Sequence, residues 1–137
     1  MKKEEKPVKY SKVLLIDDND IDNFINERMI TTSHFSEKVV VRNSAEGALD
    51  YLRQASGGSE SLPDVIFLDL NMPVMDGFGF LEEYDKLGDD VKHTCHVVVL
   101  SSSISAEDIN RASTNPYVTR YVNKPLSEKY LDAISFS

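Results

Sequence analysis

The chain has 137 residues, 41% of them hydrophobic, which is the size and composition of one globular domain. Its formal net charge of −8 argues against a direct role in nucleic-acid binding, because phosphate backbones are bound by Lys and Arg patches. A single cysteine, Cys95, excludes an internal disulfide and fits a reducing compartment. With no signal-peptide core and no apolar run of about 18 residues, we expect a cytoplasmic protein with no membrane partner.

The first half of the chain predicts two strand–helix units. Residues 1–10 read as a flexible tail, and residues 11–137 as one domain without a separate output domain. Apolar runs predict strands over residues 12–17 and 38–42. Asp20 is expected to cap a helix to residue 32 whose inner face carries Ile21, Ile25 and Met29. Ser44 is expected to cap a helix to residue 54, with Ala48, Leu52 and Ala55 on its inner face.

The second half repeats the alternation three times after a Ser/Gly-rich loop over residues 56–61. Strands are predicted over residues 64–69, 96–101 and 117–123. Asp76 is expected to cap a helix that residues 88–90 end, Ser105 a helix to residue 113, and Ser127 a last helix carrying Tyr130, Leu131 and Ile134. Five alternations of strand and helix indicate an α/β fold with a parallel sheet covered on both faces.

Polar residues follow four of the five predicted strands. Asp17 and Asp18 end the first strand, Asp69 the third, Ser101 the fourth and Lys124 the fifth. Because the carboxyl ends of parallel strands share one edge, where open α/β sheets bind ligands, we expect these residues to meet there.

Carboxylates this close together repel each other. Two charges about 4 Å apart interact by roughly 4 kcal/mol at an effective dielectric near 20, so either a pKa rises or a cation enters. Oxygen ligands with room for water suit Mg²⁺, and a hydroxyl with an ammonium suits a phosphoryl group. The alternative is that Asp17, Asp18 and Asp20 only cap a helix.

Four segments, in chain order, resemble the receiver domain of two-component response regulators. They are Leu-Leu-Ile-Asp-Asp at 14–18, Phe-Leu-Asp-Leu-Asn-Met-Pro-Val-Met-Asp-Gly at 67–77, Val-Leu-Ser-Ser at 99–102, and Tyr-Val-Asn-Lys-Pro at 121–125. The resemblance covers about residues 10–134. It implies a flavodoxin-like, doubly wound (βα)5 fold with strand order 2-1-3-4-5.

The resemblance also implies a role for each matching residue. Asp69 would accept the phosphoryl group from a histidine kinase or phosphotransfer protein, and the aspartyl phosphate would then hydrolyse. Asp18, Asp69 and the backbone carbonyl of Asn71 would bind Mg²⁺, with Asp17 acting through a metal-bound water. Ser101 and Lys124 would hold phosphoryl oxygens, and Tyr121 would follow Ser101 and switch the face of the fourth and fifth helices. The bond between Lys124 and Pro125 is expected to be cis.

Some positions depart from the usual receiver pattern. Arg120 stands where many receivers have Gly, and Thr114-Asn115-Pro116 replaces the usual Gly-Ala turn. The chain resembles the stand-alone receivers that work beside sensor kinases, as a monomer or weak homodimer. Two other functions stay open: a Mg²⁺-dependent phosphohydrolase, and a pseudo-receiver that only binds partners. Kinase docking is a further hypothesis, on an outer face of the first helix formed by Asp22, Asn23, Asn26 and Glu27.

Overall fold

A computed structural model describes residues 7–57 and 61–136, and in them one helix follows each of five strands, except that two helices follow the third strand. The strands are β1 (Tyr10–Ile16), β2 (Ser36–Arg42), β3 (Val65–Leu68), β4 (His96–Ser101) and β5 (Val118–Asn123). The helices are α1 (Asp20–Thr32), α2 (Ala45–Gly57), α3 (Gly77–Tyr84), α4 (Asp89–Thr94), α5 (Ala106–Ser113) and α6 (Glu128–Ala133). All strand pairs are parallel, in the order β2-β1-β3-β4-β5. The predicted doubly wound sheet is therefore confirmed.

Alternate residues of the strands pack in two separate hydrophobic cores, one on each face of the sheet. Leu14 and Ile16 of β1 pack in the larger core, under α2, α3, α4 and α5. Val13 and Leu15 pack in the smaller core, under α1 and α6. Because the central strands are buried on both faces, they read in sequence as unbroken apolar runs rather than as alternating ones.

Several predicted boundaries are wrong. Residues 88–90 do not simply end a helix, because Gly88 is the N-cap of the extra helix α4. The helix before them already ends at Tyr84. Helix α2 continues through Gly57, into the predicted loop, of which residues 58–60 lie outside the described part of the chain.

The start of the first strand also differs from the prediction. Strand β1 begins at Tyr10, inside the predicted tail. Before it, the Lys9 ammonium donates hydrogen bonds to three carbonyls near the end of α6, those of Leu131, Asp132 and Ile134. Residues 1–6 of the predicted tail lie outside the described part.

Helix α1 is rotated relative to the prediction. Asn19, not Asp20, is its N-cap, with the Asn19 side chain accepting from the Asp22 backbone N–H at 2.9 Å. The buried residues are Asn23, Asn26 and Ile30. The predicted inner residues Ile21 and Ile25 are instead 71% and 46% exposed, and Phe24 beside them is 64% exposed. The predicted polar outer face is thus wrong for Asn23 and Asn26, and the predicted inner face is wrong for Ile21 and Ile25. Met29 alone of the predicted inner residues packs against the core.

Most of the other predicted caps and inner faces are confirmed. Asp76, Ser105 and Ser127 each accept a hydrogen bond at the start of the helix that follows. Ala48, Leu52 and Ala55 are buried, as are Leu131 and Ile134. Over residues 7–57 and 61–136, none of the helices combines the length and the apolarity that crossing a bilayer requires.

Candidate functional site

The carboxyl edge of the sheet gathers acidic side chains from two neighbouring strands. Asp17 and Asp18 follow β1 directly, and Asp69 follows β3, which pairs with β1. One carboxylate oxygen from each of the three lies within 4.8 Å of the others. Asp17 and Asp69 are buried, at 1% and 5% exposure, while Asp18 is exposed. The predicted acidic cluster is therefore present, and it opens to solvent on the side of Asp18.

Lys124, just after β5, reaches across the edge of the sheet into this cluster. Its Nζ donates to Asp17 Oδ2 at 2.6 Å and to Asp22 Oδ2 at 3.0 Å. Asp69 Oδ1 lies 3.6 Å from the same nitrogen, an ion-pair distance rather than a hydrogen bond. Burial alone would lower the pKa of Lys124, but the hydrogen bonds to Asp17 and Asp22 and the charge of Asp69 raise it above its ordinary value. Lys124 is therefore a fixed cation.

The surroundings of Asp69 raise the pKa of its carboxyl group. Its pKa is raised from 3.8 to about 6, first by burial and then by the charge of Asp17. Lys124 and a hydrogen bond from the backbone of Asn71 oppose this rise, and the charge of Asp18 adds to it. The folded protein thus disfavours the ionised form of Asp69, and a cation bound nearby would stabilise that ionised form.

The donor set fits a hard divalent cation. All three side chains offer carboxylate oxygens, the ligands that Mg²⁺ takes in proteins, and the exposed side leaves room for water. Asn71, two residues after Asp69, is exposed at the same edge. A cation here would also neutralise the repulsion that raises the pKa of Asp69.

Ser101 and Tyr121 are joined through a residue that the sequence analysis missed. Ser101 is fully buried, and its Oγ accepts from the backbone N–H of Ser103 at 3.1 Å. The Tyr121 hydroxyl donates to the carbonyl of the same Ser103 at 3.1 Å. The Ser103 hydroxyl donates to Asp108 of α5 at 3.0 Å. One loop residue therefore ties the two predicted switch residues to each other and to α5.

Two residues of α1 also belong to the site and were not predicted to. Asp22 shares Lys124 with Asp17, and the buried Asn23 donates to the Asp17 carbonyl at 2.7 Å. The rule that residues after parallel strands meet could not reveal the first contact, because Asp22 lies in the first turn of α1 and not at the end of a strand. The second had a weak signal, since Asn is a poor helix former and an Asn on a buried helix face needs a partner.

The loop after Asp69 is shaped by two special backbone positions. A Cβ on Gly77 would lie 2.7 Å from the Asp69 carbonyl oxygen and 2.8 Å from Leu70 Cα, so only glycine lets α3 begin this close to β3. Val74 has a φ of 69° and is 97% exposed, a left-handed conformation that a β-branched residue rarely adopts. On the other side of the site, the bond between Lys124 and Pro125 is cis, as the resemblance implied.

Comparisons with known sequences agree with this geometry. A family model described as the response regulator receiver domain matches residues 13–135. The probable methanogenesis regulatory protein FilR2 of Methanothrix harundinacea is 35% identical, over 84% of this chain and 72% of its own length. The response regulator Rcp1 of Synechocystis is 31% identical, over 87% of this chain and 80% of its own length.

Solved structures give the same relationship. A two-component response regulator from Cytophaga hutchinsonii superimposes with a TM-score of 0.84 at 32% identity, covering 91% of this chain and 93% of that one. The Mn²⁺-bound form of Rcp1 superimposes with a TM-score of 0.72 at 25% identity, covering 90% and 91%.

Proposed function

Because the chain belongs to the response regulator receiver family of two-component systems, we propose that Asp69 accepts a phosphoryl group with the help of Mg²⁺. Receivers of this family are signalling modules rather than dedicated enzymes, and they interact with histidine kinases or phosphotransfer proteins. The observation that carries the proposal is the convergence of three carboxylates and one ammonium at the edge of the sheet, around the buried Asp69.

In the proposed reaction Asp69 is the nucleophile. A carboxylate oxygen attacks the phosphorus of a phosphohistidine, the P–N bond breaks as the P–O bond forms, and the imidazole leaves with the electron pair. Water later attacks the acyl phosphate, releasing inorganic phosphate and regenerating the carboxylate. Since this chemistry depends on positioning and charge neutralisation, the protein supplies a fixed nucleophile and a fixed cation, Lys124.

The proposed metal ligands are Asp18, Asp69 and the backbone carbonyl of Asn71, with Asp17 acting through a bound water. Bound Mg²⁺ would supply positive charge for the phosphoryl oxygens. The Mn²⁺-bound form of the similar protein Rcp1 supports a divalent cation in this fold. In this chain, the clustered carboxylates and the raised pKa of Asp69 support it independently.

The proposed output is a change at α5 and α6, the fourth and fifth helices of the sequence-based prediction. A phosphoryl group on Asp69 would attract the Ser101 hydroxyl, which now accepts from the Ser103 backbone. Because Ser103 also accepts from Tyr121 and donates to Asp108 of α5, a shift of Ser101 disturbs both contacts. This gives the switch a physical route from the site to α5.

The docking hypothesis keeps α1 but changes its residues. Asn23 and Asn26 are buried and cannot meet a partner, whereas Ile21, Phe24 and Ile25 form an exposed apolar face. Ile25 and Asp22 line a groove with Lys124, which places this face next to the site. We therefore propose that the kinase or phosphotransfer protein contacts the apolar face rather than the amides.

Incubation with acetyl phosphate and MgCl₂ followed by intact-mass measurement tests the proposal. We expect a labile gain of one phosphoryl group that is absent in EDTA and absent in Asp69→Asn. Asp132→Asn, which removes an exposed carboxylate at the end of α6, is the matched control and should be phosphorylated normally. A protein that never gains the group would be a pseudo-receiver. Steady release of phosphate from phosphate esters without an adduct would indicate a phosphohydrolase.

A further inference from the structure

Asp22 contacts the catalytic lysine but stands outside the acidic cluster. The cluster consists of Asp17, Asp18 and Asp69, whereas Asp22 projects from the first turn of α1. Its Oδ2 lies 3.0 Å from Lys124 Nζ, closer than the 3.6 Å that separates this nitrogen from Asp69. In the unphosphorylated protein, the ammonium therefore donates its hydrogen bonds to Asp17 and Asp22 and makes only a longer ion pair with Asp69, the residue that it would have to serve.

The position of Asp22 is well defined. Its backbone N–H is held by the N-cap side chain of Asn19 at 2.9 Å, which fixes where the first turn of α1 begins. Its side chain is 38% exposed and lines the groove beside Lys124, next to Ser102 and Pro125. The contact is thus a defined hydrogen bond at the rim of the site and not a random meeting of surface charges.

An ammonium has three hydrogens, and two of them are used by Asp17 and Asp22. A phosphoryl group on Asp69 adds oxygens with about two negative charges, and these compete for the same ammonium. Asp22 opposes this in two ways: it holds Lys124 in its resting position, and its own charge repels the new anion.

We propose that Asp22 is a positioning residue that holds Lys124 away from Asp69 and thereby limits phosphorylation of the receiver. The inference rests on the proposed function, because it concerns the same site. Removing the charge of Asp22 frees the ammonium for the phosphoryl oxygens and lowers the repulsion at the rim. Phosphorylation therefore becomes faster, and phosphoryl analogues bind more tightly.

The test compares Asp22→Asn with the wild-type protein and with Asp20→Asn. Asp20 lies on the same turn of α1 and is exposed, with no hydrogen bond or ion pair to Lys124, so it controls for the loss of one charge. We expect Asp22→Asn to raise the initial rate of adduct formation from acetyl phosphate by about twofold to fivefold, the range of an ion pair with a partly exposed partner. The affinity for beryllofluoride, measured by thermal shift, should rise by a similar factor. Asp22→Glu should restore the wild-type rate.

A double-mutant comparison separates positioning from a merely structural role. In a Lys124→Met background most of the rise on Asp22→Asn should be lost, leaving only the small part that comes from removing the charge of Asp22, because Asp22 acts mainly through the lysine. An unchanged or lower rate in Asp22→Asn, an equal rise in Asp20→Asn, or a rise that is undiminished without Lys124 would each overturn the inference. If wild type forms an adduct and Asp22→Asn does not differ from it, only this inference fails. No adduct in wild type overturns the proposed function as well.

Discussion

Replacing Asp69 by Asn should stabilise the metal-free protein. The carboxylate of Asp69 is buried next to Asp17, and its pKa in the folded state is about 6 rather than 3.8. At about 1.4 kcal/mol for each tenfold change in an acidity constant, this difference corresponds to about 3 kcal/mol of destabilisation once the group is ionised. Because the amide must still be buried, we expect a net gain in the free energy of unfolding of about 1–3 kcal/mol.

The pH dependence of this gain follows from the raised pKa. Between pH 3.8 and about 6 the folded state keeps a proton that the unfolded chain has lost, so ionisation of Asp69 costs stability as the pH rises through this window. The advantage of Asp69→Asn should be full at pH 7.5 and shrink as the pH is lowered towards 5. Urea unfolding in EDTA measures it, with Asp132→Asn as the control for net charge.

Mg²⁺ should make wild type more stable to unfolding than Asp69→Asn, the reverse of the order in EDTA. On the proposed function the cation would bind the folded carboxylates and not the unfolded chain, so it should stabilise wild type and have less effect on Asp69→Asn. An Asp69→Asn protein that is no more stable than wild type in EDTA at pH 7.5 would refute this reasoning. An equal response of both proteins to Mg²⁺ would refute it as well.

Three further substitutions test how the site is built and reached. Gly77→Ala places a Cβ 2.7 Å from the Asp69 carbonyl oxygen and should cost about 1–3 kcal/mol in urea unfolding, whereas Gly57→Ala, with open space around it, should cost nothing. Val74→Gly should gain about 1 kcal/mol in the same assay, because glycine adopts a φ of 69° without strain; a loss would contradict this. Phe24→Ser should slow transfer at least tenfold from a histidine kinase that phosphorylates wild type. Its reaction with acetyl phosphate should not change, and equal slowing of both would argue against docking on α1.

The sheet and its edge were predictable because their signals are local. Apolar runs such as the one from Val13 to Ile16 identify buried parallel strands, and their alternation with helices limits the topology, while the strand order itself was implied by the resemblance to receivers. Once the strand order is known, a residue that directly follows a parallel strand must lie at the carboxyl edge of the sheet, next to the ends of the neighbouring strands. Asp17, Asp69 and Lys124 therefore meet without any further information.

What the sequence could not predict depends on tertiary contacts. The rotation of α1 is decided by the Asn19 cap and by the hydrogen bond from Asn23 to the Asp17 carbonyl, which together turn Phe24 to the solvent. Helical periodicity fails there because the apolar residues of α1 lie on both sides of the helix. Ser103 and Asp22 were missed because neither residue directly follows a strand, and the contacts that place them at the site, with Tyr121 and with Lys124, are tertiary.

The most direct test of the central claim is to identify the residue that receives the phosphoryl group. Wild-type protein treated with acetyl phosphate and MgCl₂ is reduced with borohydride, which converts an aspartyl phosphate to homoserine, and its peptides are mapped by mass spectrometry. We expect homoserine at position 69 alone, and only when Mg²⁺ is present. Conversion at Asp17 or Asp18 instead, or at no aspartate, would contradict this claim.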